Sequence, residues 1–276
     1  MSVIVGIDVG GSTTKIVGFC QETGRLLPPQ FVRATDPVTS VYGAFGKFTS
    51  ENKLALPDVK KILVTGVGAS YIDSNIYSLP CTYVREFDSI GLGGLYTSNL
   101  DSAIVVSMGT GTALVYAEKG KTPTYLGGTG VGGGTMTGLA KKLLNIEMIE
   151  HLEDLADQGD LSNIDLRVGD ITDPRRNIGM APDITAANFG RISDLASKAD
   201  VARGIINMVF ETIAMVAMFA ARSYQCRDIV LTGQLSNIRY AREIFPRLSD
   251  MFNINFIIPE NSHFATVIGT ALSGMN

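Results

Sequence analysis

Asp8-Val9-Gly10-Gly11-Ser12-Thr13-Thr14-Lys15 is the stretch whose reading decides the fold. It places one carboxylate ahead of a tight turn rich in N–H and hydroxyl donors. The preceding residues, Val3-Ile4-Val5-Gly6-Ile7, are apolar and β-branched and predict a buried strand; Thr14 to Phe19 predicts the returning strand. Glycines let a backbone come close to a phosphate, and the donors can wrap its oxygens. Asp8 suits a Mg²⁺ ion held through water, because Mg²⁺ prefers oxygen ligands and gives up its hydration shell reluctantly. The GxxxxGK[ST] signature is absent, so this turn is not a Walker A loop.

The pattern restarts a hundred residues on. Residues 103–106 predict a strand, Ser107-Met108-Gly109-Thr110-Gly111-Thr112 a turn, and residues 113–116 a second strand. Internal repetition decides architecture, and here it predicts two similar α/β lobes, 1–98 and 99–276. Two such turns facing each other would clamp a triphosphate from both sides. The second turn has no carboxylate, so the metal belongs to Asp8. Between the turns, 37–50 and 87–98 predict helices, while 61–66 and 82–85 predict strands. Beyond them, 132–144, 147–157, 237–248 and 264–274 predict helices, and 228–232 and 255–258 strands. A helix over 199–224 is apolar around much of its circumference, which calls for burial in the core or in a subunit interface.

Three further motifs bear on chemistry. Gly127-Gly128 followed by Gly132-Gly133-Gly134-Thr135-Met136-Thr137 leads straight into a helix, a ready place for an anion or a flat base. Thr232-Gly233-Gln234 ends a strand and is placed to lie against an adenosine. Glu86-Phe87-Asp88 offers two carboxylates where a strand meets a helix. A phosphoryl-transfer enzyme needs a carboxylate in reach of the acceptor hydroxyl. Asp88 has an ordinary explanation as a helix cap, whereas Glu86 has no structural need for its charge. The residues alone leave both in play.

Composition excludes several classes. Hydrophobic residues make up 45% and charged residues 18% of the 276, which indicates a globular chain. Net charge is -4 and no basic stripe stands out, so nucleic acid is not an expected partner. No unbroken apolar run has the length of a membrane span, and the start lacks the features of a signal peptide, so a cytoplasmic protein without a membrane partner is expected. Cys20, Cys81 and Cys226 are isolated and expected to be reduced thiols.

Taken in order, these motifs resemble the actin/hexokinase/Hsp70 superfamily, whose α/β fold has two similar ribonuclease H-like lobes around an interlobe nucleotide cleft. The wording of the rest is similar to type II pantothenate kinases. Glu86-Phe87-Asp88, the Gly109–Thr112 turn and the glycines after 126 occur there in this order. So do Asp157-Gln158-Gly159-Asp160 and Thr185-Ala186-Ala187-Asn188-Phe189-Gly190, with Glu260-Asn261 to Gly269 closing the chain. The resemblance implies transfer of the γ-phosphate of ATP, with Mg²⁺, to the primary hydroxyl of pantothenate, the first step of coenzyme A synthesis. It implies Glu86 as catalytic base. It implies nucleotide contacts from Gly10, Gly11, Ser12, Thr13, Thr14, Lys15, Thr110, Gly111, Gly133, Gly134, Thr135, Met136, Thr137, Gly233 and Gln234. Substrate contacts fall to Glu86, Thr112, Tyr125 and Gly127. It further implies a homodimer through the helix 199–224, with Thr185 and Ala186 reaching toward the neighbouring subunit's substrate.

The chain departs from the family pattern near the acceptor. Tyr125 stands where the family commonly has arginine, Ala113 where it often has a hydroxyl donor, and Gln234 where it has serine. Two other readings compete. One is a kinase for an N-acetylated sugar. The other is an ATPase that activates a 2-hydroxyacyl-CoA dehydratase, which would need cysteines placed for a [4Fe–4S] cluster.

Overall fold

A computed structural model of the chain describes every residue except 12, 34, 35, 73, 74, 174, 176–178, 180 and 276. Ser12 and Pro174 therefore lie outside the described residues. The first sheet holds β1 (Val3–Val9), β2 (Thr13–Cys20), β3 (Leu26–Arg33), β4 (Val59–Thr65), β5 (Asn75–Ile76) and β6 (Leu79–Tyr83), in the order β3-β2-β1-β4-β6-β5. Helices α1 (Pro37–Glu51) and α2 (Glu86–Ser98) belong to the same half of the sequence. The second sheet holds β7 (Ser102–Met108), β8 (Thr112–Glu118), β9 (Thr124–Thr129), β12 (Asp228–Thr232) and β13 (Asn255–Ile257), in the order β13-β12-β7-β8-β9. Its helices are α3 (Gly133–Leu144), α4 (Ile149–Ala156), α5 (Val168–Ile171), α6 (Lys198–Ser223), α7 (Arg239–Phe252) and α8 (Ala265–Leu272). A small ribbon of β10 (Leu166–Arg167) and β11 (Thr185–Ala187) lies apart from both sheets.

The two sheets share one plan. In each, three antiparallel strands are followed by two more that run parallel to the first. Central strands β1 and β7 are apolar along nearly their whole length because both faces are covered. The repetition continues past the hairpins. After β4 and after β12 comes Thr-Gly, and both glycines have positive φ, 90° at Gly66 and 85° at Gly233. A Cβ at Gly66 would lie 2.6 Å from the Val9 carbonyl oxygen, and one at Gly233 2.6 Å from that of Met108. Each glycine thus lets the chain press against the last residue of its sheet's first strand, which a side chain would prevent. The preceding threonines, Thr65 and Thr232, are fully buried and donate their hydroxyls to the Val84 and Val106 carbonyls.

The helices do not respect a cut at 98/99. Ile90 of α2 packs with Ala103, Val105, Val115 and Val230 of the second sheet. Val267, Ile268 and Ala271 of α8 pack with Val17 and Phe19 of the first sheet. The two helices cross at Gly93 and Gly269, where an added Cβ would lie 1.8 Å from the Ala265 carbonyl oxygen and 1.9 Å from that of Ser89. Each lobe therefore supplies a helix to the other, and the crossing ties the lobes together beside the cleft.

Helix α6 starts with a capping box, Ser197 with Asp200, and carries Arg222 in its last turn. Much of its apolar circumference is spent inside this chain: Ile205, Ile206, Val209, Phe210 and Ile213 are fully buried in the largest core cluster. An 18-residue window of α6 has a mean hydropathy of 1.8, enough by length and composition to cross a membrane. The packing explains it, since 61% of that window is buried in the fold.

Candidate active site

Between the sheets lies a cleft of ≈ 720 Å³ into which both hairpin turns open. The first turn contributes Asp8, Gly10, Gly11, Thr13 and Lys15, and the second Ser107, Gly109, Thr110, Gly111 and Thr112. The turns are built differently. Gly10 N–H donates to the Thr13 carbonyl across a four-residue connection, while Gly109 N–H donates to the Gly111 carbonyl across a connection one residue shorter. Register puts Asp8 opposite Lys15 and Ser107 opposite Ala113, so the second hairpin is the first with its charges removed.

Asp8 and Lys15 are recessed, Lys15 being 8% exposed. Burial pushes the Asp8 carboxyl above the ordinary aspartate range, partly offset by the Lys15 ammonium. Burial likewise lowers Lys15, with Asp8 opposing the shift. His263 falls below its usual value, through burial and then repulsion from Lys15.

Glu86 is the first residue of α2, one position before the helix start that the sequence suggested. β6 stops at Tyr83, and Arg85 is the extended residue that precedes the helix. Glu86 lines the cleft, and its carboxyl is raised by burial and then by the charge of Asp8. The helix N-terminus favours the charged form and limits that rise. Asp88 is not a cap. It sits in the first turn as the third residue of α2, where its two oxygens accept from the Arg85 guanidinium at 2.9 and 2.8 Å. Asp88 does not line the cleft.

The glycine-rich segment before α3 does not work as a bare helix N-terminus. Gly133 N–H donates to the Gly109 carbonyl and Gly134 N–H to the Thr110 carbonyl, both at 2.8 Å. Those donors brace the second turn from behind while the glycines themselves line the cleft. Thr112 Oγ1 donates to the Val131 carbonyl, a third tie between turn and loop. Thr137, Gly233 and Gln234 also line the cleft.

Several expected contacts are elsewhere. Met136 is fully buried in the second-lobe core, and Thr14 is buried with its hydroxyl accepting from Ser40. Thr135 turns its hydroxyl to the Gly130 carbonyl, and Gly127 is not part of the wall. The placements of Thr14 and Met136 follow from period: alternate strand residues and every third or fourth helix residue face away from a site. Thr185 and Ala186 are in β11, outside this cleft. There Thr185 Oγ1 donates to Glu211 at 2.8 Å, Asn188 Nδ2 to the same carboxylate at 2.9 Å, and Phe189 N–H to the buried Asp165 at 2.9 Å. The segment 185–190 is thus pinned by two carboxylates, Glu211 on α6 and Asp165, which itself accepts from Asn207 of α6 at 2.9 Å, with Ala186 left exposed. No sequence motif included Val67, Ile149, Leu235 or Thr266, which also line the cleft, while Ser107 was read only as the start of the second turn.

Tyr125 lines the cleft beside Glu86 and is stacked on Phe87, with ring centroids 3.9 Å apart and planes 13° apart. The three cysteines are in separate places: Cys20 in β2, Cys81 in β6, Cys226 beyond α6.

The Fumble family model matches residues 47–255. The type II pantothenate kinase of Staphylococcus aureus (strain MRSA252) is 31% identical over 284 residues, covering 98% of this chain and 99% of that one. That of the bovine strain RF122 is 30% identical over 279 residues, covering 96% and 97%. Among solved structures, the activator of 2-hydroxyisocaproyl-CoA dehydratase from Clostridium difficile with bound ADPNP matches with a TM-score of 0.68 at 14% identity. It covers 99% of this chain and 94% of that one. Component A of the Acidaminococcus fermentans (R)-2-hydroxyglutaryl-CoA dehydratase matches with a TM-score of 0.70 at 14% identity, covering 99% and 97%. Those two likenesses show the actin-like ATPase fold.

Proposed function

The chain belongs to the Fumble family of type II pantothenate kinases, and from that premise we propose that it transfers the γ-phosphoryl group of ATP to the primary hydroxyl of pantothenate, yielding 4'-phosphopantothenate. The observation that carries the reading is that Glu86 opens onto the same cleft as the two facing turns. A triphosphate lying between the turns meets Gly10, Gly11, Thr13 and Lys15 on one side and Thr110 and Gly111 on the other. Lys15 is a point charge held ready for phosphate oxygens. Gly233 and Gln234 line the adenosine end.

Asp8 fits Mg²⁺ as the carboxylate beside the first turn, since such an ion takes most of its ligands from water and phosphate and needs few from the protein. An ion held there would supply positive charge to the phosphates. Glu86 accepts the hydroxyl proton as the acceptor oxygen attacks phosphorus. Burial and then the charge of Asp8 raise its pKa, and in its ionised form that makes it a better proton acceptor than an ordinary glutamate.

A homodimer is part of the proposal. Met215, Val216 and Phe219 on α6, with Leu248, Met251 and Phe252 on α7, line an apolar groove of ≈ 750 Å³ that also includes Thr185. Pairing two chains along α6 would cover Phe219 and bring Ala186 toward the partner. Sedimentation at micromolar concentration should show a dimer.

Glu86→Gln tests the mechanism. Turnover should fall by about 10²–10⁴ while ATP affinity, measured by calorimetry, holds. Asp88→Asn should keep near-normal kcat because Asp88 serves Arg85 and not the cleft. The reverse pattern would unseat Glu86 as the base.

A further inference from the structure

The wall of the acceptor end is aromatic where charge would be needed for an anion. Phe87 follows Glu86 directly, and its ring packs against the cluster of Ile90, Ala103 and Val105. Tyr125 lies flat on that ring and is held there by β9, where it pairs with Val115 of β8. It remains 48% exposed, so its second face is open to the cleft. Among the described residues lining the cleft, the charged side chains are Asp8, Glu86 and Lys15. Lys15 is recessed opposite Asp8 at the phosphate end. Among the described residues of the chain, the acceptor end therefore offers a carboxylate and a flat apolar face and no cation beside them.

Resting on the proposed acceptor chemistry, we infer that Tyr125, stacked on Phe87, makes this site selective for acceptors whose far end is uncharged: amides of pantothenate are phosphorylated in preference to the free acid. An acceptor that puts its hydroxyl on Glu86 lays its far end along this wall. A carboxylate there is repelled by Glu86 and finds no partner for its charge, and stripping its water is costly. An amide has no such charge, and its plane stacks on the open face of Tyr125.

The experiment compares kcat/KM for pantothenate, pantetheine and an N-pentyl amide of pantothenate, using the full chain with saturating ATP and Mg²⁺. Both amides should exceed the free acid by about tenfold or more, the scale of one unfavourable charge pair in a partly buried site. Tyr125→Arg supplies a cation at the wall and should move the ratio toward the free acid by about tenfold, with ATP affinity unchanged. Tyr125→Phe keeps the stack and should leave the ratio within about twofold. A wild-type enzyme that favours the free acid, or treats all three alike, overturns the inference. So does a folded Tyr125→Arg variant, judged by its melting curve, whose ratio does not move. Hydrolysis of ATP with none of the three phosphorylated would instead sink the proposed function, and this inference with it.

Discussion

The two hairpins that face the cleft share strand order, pairing and the glycine that backs them, yet one is charged and the other neutral. Asp8 and Lys15 occupy the positions that Ser107 and Ala113 occupy in the second lobe. The neutral hairpin is the better braced: Gly133, Gly134 and Thr112 tie it to the glycine loop and α3. The comparison teaches a division of labour within a duplicated unit. On the proposed function, one copy keeps buried charges that would act on phosphate. The other would hold a braced set of backbone groups against the same ligand. Buried charges cost stability unless paired, so a second charged copy would add cost without adding a second reacting centre.

Asp8→Asn should give the largest contrast, cutting Mg²⁺-dependent kcat on the order of 10²-fold, because phosphoryl transfer depends on charge placed at the phosphates. A variant with wild-type kcat at low Mg²⁺ would show that the charged hairpin is not where the metal binds. Ser107→Ala, at the matching position, should change kcat by less than about threefold, the loss of one neutral hydroxyl contact. An equal loss at both positions would end the division proposed here.

The backing glycines should behave alike. Gly66→Ala and Gly233→Ala each force a Cβ into main-chain atoms at positive φ. Each should cost about 1–3 kcal/mol of stability, read from denaturant midpoints. A large cost in only one lobe would show that the structural repeat is not an energetic one.

The pH profile separates the charged centre from its scaffold with a smaller effect. Glu86 works ionised and its pKa is raised above the usual glutamate value by burial and by Asp8. Activity should therefore fall on acidification at a pH above the ordinary glutamate range and be full on the alkaline side of that step. Asp8→Asn removes the second cause and should shift the residual activity's acid limb downward. An unmoved limb would mean that the two carboxylates do not feel each other.

Much of this was legible in the chain. Donor-rich turns between β-branched runs at 8–15 and 107–112 revealed two like lobes, and the glycines after 126 marked the loop beside them. Glu86 stood out because a charge without a structural duty is conspicuous, though only the structure gave Asp88 its duty with Arg85. Thr14 and Met136 were misplaced because a run of residues names an element and not the face it presents. The anchoring of 185–190 was hidden as well, since its carboxylates Asp165 and Glu211 lie about twenty residues away on either side.

What the sequence determined by itself was local: the strands that flank the two turns (though not β9 or the β10–β11 ribbon), where the backbone must turn tightly, and which turns carry charge. Those follow from side-chain shape, period and donor chemistry within a few residues. What only the tertiary structure decided was exchange and apposition. Helices α2 and α8 trade lobes because Gly93 and Gly269 let their backbones touch. Tyr125 meets Phe87 across 38 positions of chain, and α6 spends most of its apolar surface inside its own lobe. Such contacts are set by which faces remain to be covered once the sheets have formed, and no window of sequence contains both partners.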